Sequence, residues 1–244
     1  MEQLIRQILV KIIAGCLCTI LLCQGIPVLA QQPGWDVLQQ VCKAYDKTDV
    51  MSFQAHMKLY AANKPSVIQS TLEVSCMVNK EQAYTKAGPV EIIRNGQYLL
   101  TVDHEDKLLL VADLYANQQE KELQSQMFNV KQFLEDMQQS GAKVQKVMRG
   151  NDYWLELTSL TTPGMQQCNI MYDPGTFLVK RVWMQVAGEM VGASGASVVD
   201  ITYDQYRFNA PDAGKFVTVR FVAINGKTAT LQEKYKNYTL INQL

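Results

Sequence analysis

Few residues in this sequence have the types and spacing that chemistry needs. His56 and His104 are its only histidines, and His104 stands in the acidic run Asp103-His104-Glu105-Asp106. Imidazole and carboxylate groups bind metals and transfer protons, but this run lacks the ligand spacing and the glycine of a calcium-binding loop. We interpret it as a solvated turn between two strands. His56 alternates with polar residues and is expected on the outer face of its strand.

The sequence contains no compact catalytic motif. There is no GxSxG, no HExxH, no glycine-rich phosphate loop and no pair of carboxylates at a useful spacing. We therefore predict a non-catalytic protein that needs neither a cofactor nor a metal. Basic and acidic residues number 23 each, so net charge gives the chain no attraction for nucleic acid.

The N-terminal segment has the features of a secretory signal peptide. Arg6 and Lys11 precede an apolar run over residues 12–22, and Val28-Leu29-Ala30 suits a cleavage site. We predict that residues 1–30 are removed near Ala30/Gln31 and that residues 31–244 form a single domain outside the cytoplasm. Ile13-Ala14-Gly15-Cys16 also matches a lipidation box, so a form anchored through Cys16 is the lesser alternative. The apolar run is shorter than the roughly 20 residues of a spanning helix, so no stable membrane anchor is expected.

The main structural prediction is a series of five strands joined by very short connections. They cover residues 67–79, 81–87, 90–94, 97–102 and 107–111. Asn95-Gly96 is a strong hairpin signal, because a tight turn needs residues that tolerate positive φ. Connections this short join antiparallel strands, so the segment is predicted to be a meander.

Two amphipathic helices and more strands complete the prediction. Apolar residues recur at helical spacing over residues 35–45, and again at Val130, Phe133, Leu134 and Met137. Further strands are expected at residues 143–148, 153–158, 165–172, 177–187, 197–208, 216–224 and 229–238. The predicted fold is mainly β with two or three helices.

The order of these elements resembles the LolA/LolB-like lipoprotein-carrier family. The resemblance lies in the helix and "F-x-A" strand over residues 38–55, in Ile92-Ile93-Arg94-Asn95-Gly96-Gln97-Tyr98, in Tyr153-Trp154-Leu155 and in the Asp173-Pro174-Gly175 turn. It implies a strongly bent antiparallel sheet that forms an unclosed half β-barrel with a helical lid. Lys80 and Glu81 stand where the family has an arginine and a proline, and lysine lacks the planar fork of arginine.

The resemblance implies an apolar cavity with Lys80 at its mouth. Burial of each CH₂ of an acyl chain contributes roughly 0.8 kcal/mol, so such a site needs no catalytic group. Unbranched methionines suit chains of variable shape. The residues expected to line the cavity are Met57, Leu72, Val74, Cys76, Val78, Tyr84, Ile92, Leu100, Val102, Leu110, Phe133, Met137, Ile170, Val182 and Met184.

Two functions remain open at this point. One is a carrier or sensor that shelters the acyl chains of a lipid or lipoprotein and works with a membrane-bound donor or acceptor protein. The other is a periplasmic scaffold or assembly subunit that binds a protein partner without lipid, along a sheet edge or the Phe177/Trp183 face. Cys42, Cys76 and Cys168 are predicted to be small buried hydrophobes, and a Cys76–Cys168 disulfide is left open.

Overall fold

The computed structural model describes residues 33–46, 49–61, 64–114, 139, 141–160, 164–187, 196–209 and 211–244. The predicted signal peptide, the lipidation box at Cys16 and the predicted second helix with Phe133 and Met137 lie outside these residues. Within the described ranges, no helix has the length and apolar character needed to span a membrane.

One α-helix and fourteen strands make up most of the described chain. The helix α1 is Pro33–Asp46. The strands are β1 (Val50–Ala61), β2 (Lys64–Asn79), β3 (Gln82–Ala87), β4 (Val90–Asn95), β5 (Tyr98–Asp103), β6 (Leu108–Asp113), β7 (Lys143–Arg149), β8 (Asp152–Thr158), β9 (Met165–Tyr172), β10 (Val179–Ala187), β11 (Ala196–Arg207), β12 (Val222–Asn225), β13 (Thr228–Leu231) and β14 (Thr239–Gln243).

Twelve of these strands form one sheet, and β12 and β13 pair separately. The order in the large sheet is β14-β6-β5-β4-β3-β2-β1-β11-β10-β9-β8-β7. No pairing in the described chain joins β14 to β7, so the sheet is unclosed. The predicted mainly-β fold built on an open sheet is confirmed.

The chain divides into two compact units. Of the described residues, unit 1 contains those within 33–46, 56–72 and 139–204, and unit 2 contains those within 49–55, 73–114 and 205–244. Strands β1, β2 and β11 each continue from one unit into the other.

In unit 1, α1 packs on β7 and β8. Its apolar stripe is buried, with Leu38 at 4% and Tyr45 at 2% exposure. The Tyr45 hydroxyl accepts a hydrogen bond of 2.8 Å from the backbone N–H of Val179. At the start of the helix, a Cβ on Gly34 would lie 2.2 Å from the carbonyl oxygen of Val144. The helix therefore approaches the β7 backbone so closely that only glycine fits.

In unit 2, strands β2 to β6 form the predicted antiparallel meander, and residues 211–244, here called the C-terminal cover, pack on it. The meander register pairs Tyr84 with Ile93, and Ile93 with Leu100. The cover buries Phe216 and Phe221 against this part of the sheet. The meander is thus covered by the end of the chain.

The C-terminal cover differs from its prediction. Instead of two long strands over residues 216–224 and 229–238, it has 3₁₀ turns at Ala213–Phe216, Thr218–Arg220 and Glu233–Tyr235, with the short β12–β13 hairpin between the second and third. The last strand, β14, then pairs parallel with β6. The parallel pairing is compatible with the long stretch of chain between these two strands.

The Asn95-Gly96 turn is present, but its two residues have different roles. Gly96 has φ +93°, a conformation that favours glycine. The Asn95 side-chain oxygen accepts hydrogen bonds from the N–H groups of Gln97 (3.3 Å) and Tyr98 (2.8 Å). Asn95 therefore closes the loop with its side chain, as asparagine does in Asx turns.

Candidate functional site

The meander has two apolar faces, and the strand register assigns each residue to one of them. The Tyr84 face contains Tyr84, Ile93, Leu100, Val102, Leu109 and Val111. The Cys76 face contains the row Cys76, Thr85, Ile92, Thr101 and Leu110 on five successive strands. The predicted cavity residues Tyr84, Leu100 and Val102 are therefore not on the same face as Cys76, Ile92 and Leu110.

The Tyr84 face is filled by the chain itself. Ile93, Leu100, Val102, Leu109 and Val111 are all 0% exposed. They form one cluster with residues of the C-terminal cover, namely Phe216, Phe221, Val222, Ala229 and Tyr235. This face is a packed core, and the place of Tyr84, Leu100 and Val102 in a ligand site stays a prediction.

The Cys76 face is more open along β4 to β6. The predicted cavity residues on β2, which are Val74, Cys76 and Val78, are buried. Ile92 and Leu110 are half-buried, and so are their neighbours Leu99 and Leu108. The face thus combines a buried end with a partly accessible apolar surface.

Burial dominates the chemistry of Cys76. The thiol has Thr85 Oγ1 at 3.7 Å, and burial raises the pKa of Cys76 to about 12. A thiol with so high a pKa is inert at neutral pH. Cys42, Cys76 and Cys168 are all buried, as predicted, and no disulfide joins these described cysteines.

The remaining predicted cavity residues lie in unit 1 or outside the described chain. Met57, Val182 and Met184 are buried with exposures of 3%, 7% and 2%. Leu72 and Ile170 are half-buried. Their membership of a ligand site stays a prediction.

Lys80 is exposed in the β2–β3 turn, where its φ is +55°. Its backbone N–H donates to the carbonyl oxygen of Asp49 at 2.6 Å. Beside it lies a hollow of about 460 Å³, lined by Asn79, Lys80, Glu81, Gln82, Asn95 and Gly96. The residues that line this hollow are polar apart from Gly96, and it lies near the C-terminal cover, since Asn95 Nδ2 donates to Thr218 Oγ1 at 3.4 Å. The role of Lys80 at the mouth of an apolar cavity stays a prediction.

A polar network at the edge of the Tyr84 face was missed by the sequence analysis. Glu91 Oε1 accepts from His104 Nε2 at 3.0 Å, and Glu91 Oε2 accepts from the Tyr84 hydroxyl at 3.0 Å. Arg220 Nη2 donates to the same Oε2 at 3.3 Å. His104 Nδ1 lies 2.9 Å from the Tyr238 hydroxyl. His104 therefore does not belong to a freely solvated turn, which corrects the interpretation given above.

The network shifts the ionisation of its members. Burial and the charge of Glu91 raise the pKa of Tyr84 to about 12. Burial alone would raise the pKa of Glu91, but hydrogen bonds from His104 and Tyr84 and the charges of His104 and Arg220 lower it below its usual value. Glu91 is thus held as a carboxylate, while Tyr84 keeps its proton.

The acidic neighbours of His104 do not form a metal site. Asp103 Oδ1 accepts hydrogen bonds from the N–H groups of Glu105 (2.9 Å) and Asp106 (3.0 Å) and so closes the turn. Among the residues that the structure describes, no group of three or more His, Cys, Asp or Glu side chains could hold a metal ion. His56 lies elsewhere, with Nε2 at 3.2 Å from Asp204 Oδ2.

No family model matches the chain, and no curated protein matches it. An uncharacterized conserved protein from Thermus thermophilus is similar over 76% of this chain and 93% of its own, at 9% identity and a TM-score of 0.45. A LolA superfamily protein from Nitrosomonas europaea is similar over 78% of this chain and 100% of its own, at 10% identity and a TM-score of 0.36. The MucA/MucB complex of Pseudomonas aeruginosa is similar over 82% of this chain and 64% of that chain, at 15% identity and a TM-score of 0.40.

Proposed function

We propose that this protein is an exported, non-catalytic carrier or sensor that binds acyl chains of a lipid or lipoprotein on the Cys76 face of the meander. The observation that supports the proposal is the half-buried state of Ile92, Leu99, Leu108 and Leu110 on that face. The opposite face is already filled by the C-terminal cover. A second apolar face on the same strands is more than the core of unit 2 requires.

The chemistry of this face suits hydrocarbon better than polar ligands. Its half-buried side chains include the aliphatic Ile92, Leu99, Leu108 and Leu110 beside the hydroxyl of Thr101, and its one thiol is buried and inert. Each CH₂ that leaves water on such a surface contributes about 0.8 kcal/mol, so a chain of a dozen carbons would bind without any hydrogen bond. The face thus provides what an acyl chain needs and little that a sugar or a nucleotide would use.

The proposal is tested by lipid binding to variants of this face. Ile92→Asp and Leu110→Asp each place a charge among aliphatic side chains, and we expect either to weaken binding of a fluorescent fatty acid at least about tenfold. The control is Val219→Asp, at a valine that is 58% exposed on the C-terminal cover. Mass spectrometry of lipids extracted from the purified protein is the second measurement. Equal binding by all three variants, or purified protein free of acylated species, would refute acyl binding on this face.

Export is part of the same proposal. The basic residues, apolar run and small-residue site at the N-terminus support removal of residues 1–30 and a periplasmic location. Determination of the N-terminal residue of the secreted protein tests it, with Gln31 expected. An N-terminus at a lipid-modified Cys16 would instead favour the anchored form.

A protein partner is the second candidate, and one observation favours it. Met148, on β7, has 66% of its surface exposed on a strand that also carries Lys146 and Arg149. Exposed methionine is common where a surface adapts to a partner. Met148→Asp separates the two functions, because it is expected to leave fatty-acid binding unchanged and to weaken capture of an added protein partner.

A further inference from the structure

We propose that Glu91 forms an acid-sensitive hydrogen-bonded link that holds the C-terminal cover on the Tyr84 face of the meander. The inference goes beyond the proposed acyl binding, since it concerns the opposite face and does not depend on a ligand. It rests on one carboxylate that accepts hydrogen bonds from the meander and from the cover at once.

The Glu91 carboxylate is largely shielded from water, so it needs hydrogen-bond partners within the protein. The Glu91 side chain is only 13% exposed, on the strand face that carries the packed cluster. Tyr84 on β3 and His104 in the β5–β6 turn bind it from the meander. Arg220 binds it from the cover, and a second guanidinium nitrogen of Arg220 donates to the carbonyl oxygen of Gly214 at 3.1 Å. Loss of the carboxylate charge would therefore weaken bonds to three separate segments.

His104 extends the connection to the last strand. Its Nδ1 is bonded to the hydroxyl of Tyr238, the residue that precedes β14. A neutral His104 that donates from Nε2 to Glu91 accepts the Tyr238 proton at Nδ1, and a protonated His104 donates from both nitrogens. In both states the arrangement needs Glu91 Oε1 as an acceptor. His104 thus links Tyr238 to the Glu91 carboxylate.

The other charged and titratable groups around the network also bear on Glu91. Lys86 is its cross-strand partner on β3. The Lys215 ammonium of the cover lies 5.4 Å from the centre of the Tyr84 ring. The Tyr235 ring lies 6.4 Å from the ring of His104, and burial, followed by the charges of Tyr235, Asp103 and Glu91, raises the pKa of Tyr238. Of the charged groups, His104 of the meander and Arg220 of the cover favour the carboxylate form of Glu91.

The sign of the pH effect follows from the lowered pKa of Glu91. A carboxyl group whose pKa is lower in the folded state stabilises that state fully above its unfolded value, here 4.5, and loses the effect as pH falls through the folded value. The link formed by Glu91 is therefore at full strength at neutral pH, and it weakens as the pH falls below about 4.5. Phe216 and Phe221 stay packed by apolar contact, so acid increases transient opening of the cover and does not detach it.

Hydrogen exchange measured peptide by peptide tests the proposal. Glu91→Gln keeps the shape of the side chain and removes its charge. We expect amide protection in β12, β13 and β14 to fall about tenfold at pH 7, because the hydrogen bonds that the variant weakens are those to a charged group, which are stronger than bonds to a neutral one. Protection in β3 to β5 should stay unchanged. Wild-type protein, after correction for intrinsic exchange, should approach the same pattern progressively as the pH falls below about 4.5.

The matched control is Glu233→Gln, which removes a carboxylate from the same cover. Glu233 pairs with Lys236 at the surface, where both side chains are largely exposed, so its loss should leave the exchange unchanged. Tyr238→Phe is the second variant, because it removes the bond to His104 and leaves Glu91 intact. We expect it to reduce protection in β14 alone.

Three outcomes would overturn the inference. One is wild-type protection of the cover in Glu91→Gln. Another is an equal loss of protection in β3 to β5, which would make Glu91 part of one indivisible core. The third applies if Glu91→Gln does not fold. The Tyr238→Phe variant then tests the link, and unchanged amide protection of β14 in that variant would overturn the inference.

Discussion

The two units of this chain cover an apolar sheet surface in different ways. In unit 1 a regular helix, α1, packs on β7 and β8. In unit 2 the covering segment is irregular, built from 3₁₀ turns, a short hairpin and one added strand. A helix satisfies its own backbone and can cover a sheet with side chains alone. An irregular segment must find partners for its backbone, and here it finds them within itself and on β6.

The difference shows where each cover gains its stability. The contact of α1 depends on close backbone approach, at Gly34 against Val144. The C-terminal cover depends on a few large side chains, above all Phe216 and Phe221, and on polar bonds at its edge. Substitutions should therefore act through different mechanisms in the two units.

The largest expected effect is in the C-terminal cover. Phe221 is 0% exposed, with its ring centre 5.0 Å from that of Tyr235. Phe221→Ala should lower the free energy of unfolding by about 3–5 kcal/mol, because it leaves a cavity in the cluster. Urea denaturation measures the loss, with Val219→Ala on the exposed side of the cover as control, expected within about 0.5 kcal/mol. A loss below about 1 kcal/mol would mean that the cover is not part of the core.

The next effect tests the close approach of α1. Gly34→Ala places a methyl group 2.2 Å from the Val144 carbonyl oxygen, so the helix must move, at a cost of about 1–3 kcal/mol. The control is Gly175→Ala, where the nearest atom, Asp173 Oδ1, is 3.4 Å away. Equal stability of the two variants in urea would show that α1 shifts freely on the sheet.

A smaller effect is expected from the bond between α1 and β10. Tyr45→Phe removes the hydroxyl that accepts from the Val179 N–H, and the free energy of unfolding should fall by about 1 kcal/mol. Tyr98→Phe, at a half-buried ring in unit 2, serves as the comparison. If both tyrosine variants are as stable as the wild type, packing alone holds α1.

The last test measures local opening of the structure by cysteine labelling and needs no substitution. Cys42 lies on α1 and Cys76 on β2, and both are buried. Burial raises the pKa of Cys76 to about 12, so we expect its alkylation at pH 8 to be at least about 100-fold slower than in the unfolded chain. Cys42 should react faster, because a single helix can open locally. Peptide mass spectrometry after timed labelling gives both rates, and faster labelling of Cys76 would reverse the comparison.

The sequence predicts regular elements well and the irregular cover poorly. The alternation of apolar residues and the turn at Asn95-Gly96 give β3 to β6 to within a residue or two, and helical spacing gives α1. Phe216, Phe221 and Val222 follow neither period, and 3₁₀ turns form where tertiary contacts require them. For that reason the predicted strands over residues 216–224 and 229–238 are confirmed only for the short β12–β13 hairpin and are wrong for the rest.

The candidate site shows the same limit. Ile92 and Ile93 are both apolar, so alternation cannot tell which of them faces the cover, and only the register decides. The network at Glu91 was missed because its partners are far apart in the sequence, with His104 in a turn and Tyr238 near the last strand. Local patterns carry no information about such pairings.

The parallel pairing of β14 with β6 has a consequence for the order of folding. Thr239 is aligned with Leu108, and Gln243 with Ala112, so one edge of the sheet is completed by a strand that lies far from β6 in the sequence. During synthesis β6 is made long before β14. Until β14 pairs with it, the backbone groups on the free edge of β6 lack partners and can pair with other chains. Contacts between residues so distant in sequence form slowly. A newly made chain is therefore prone to association with other chains until β14 pairs with β6.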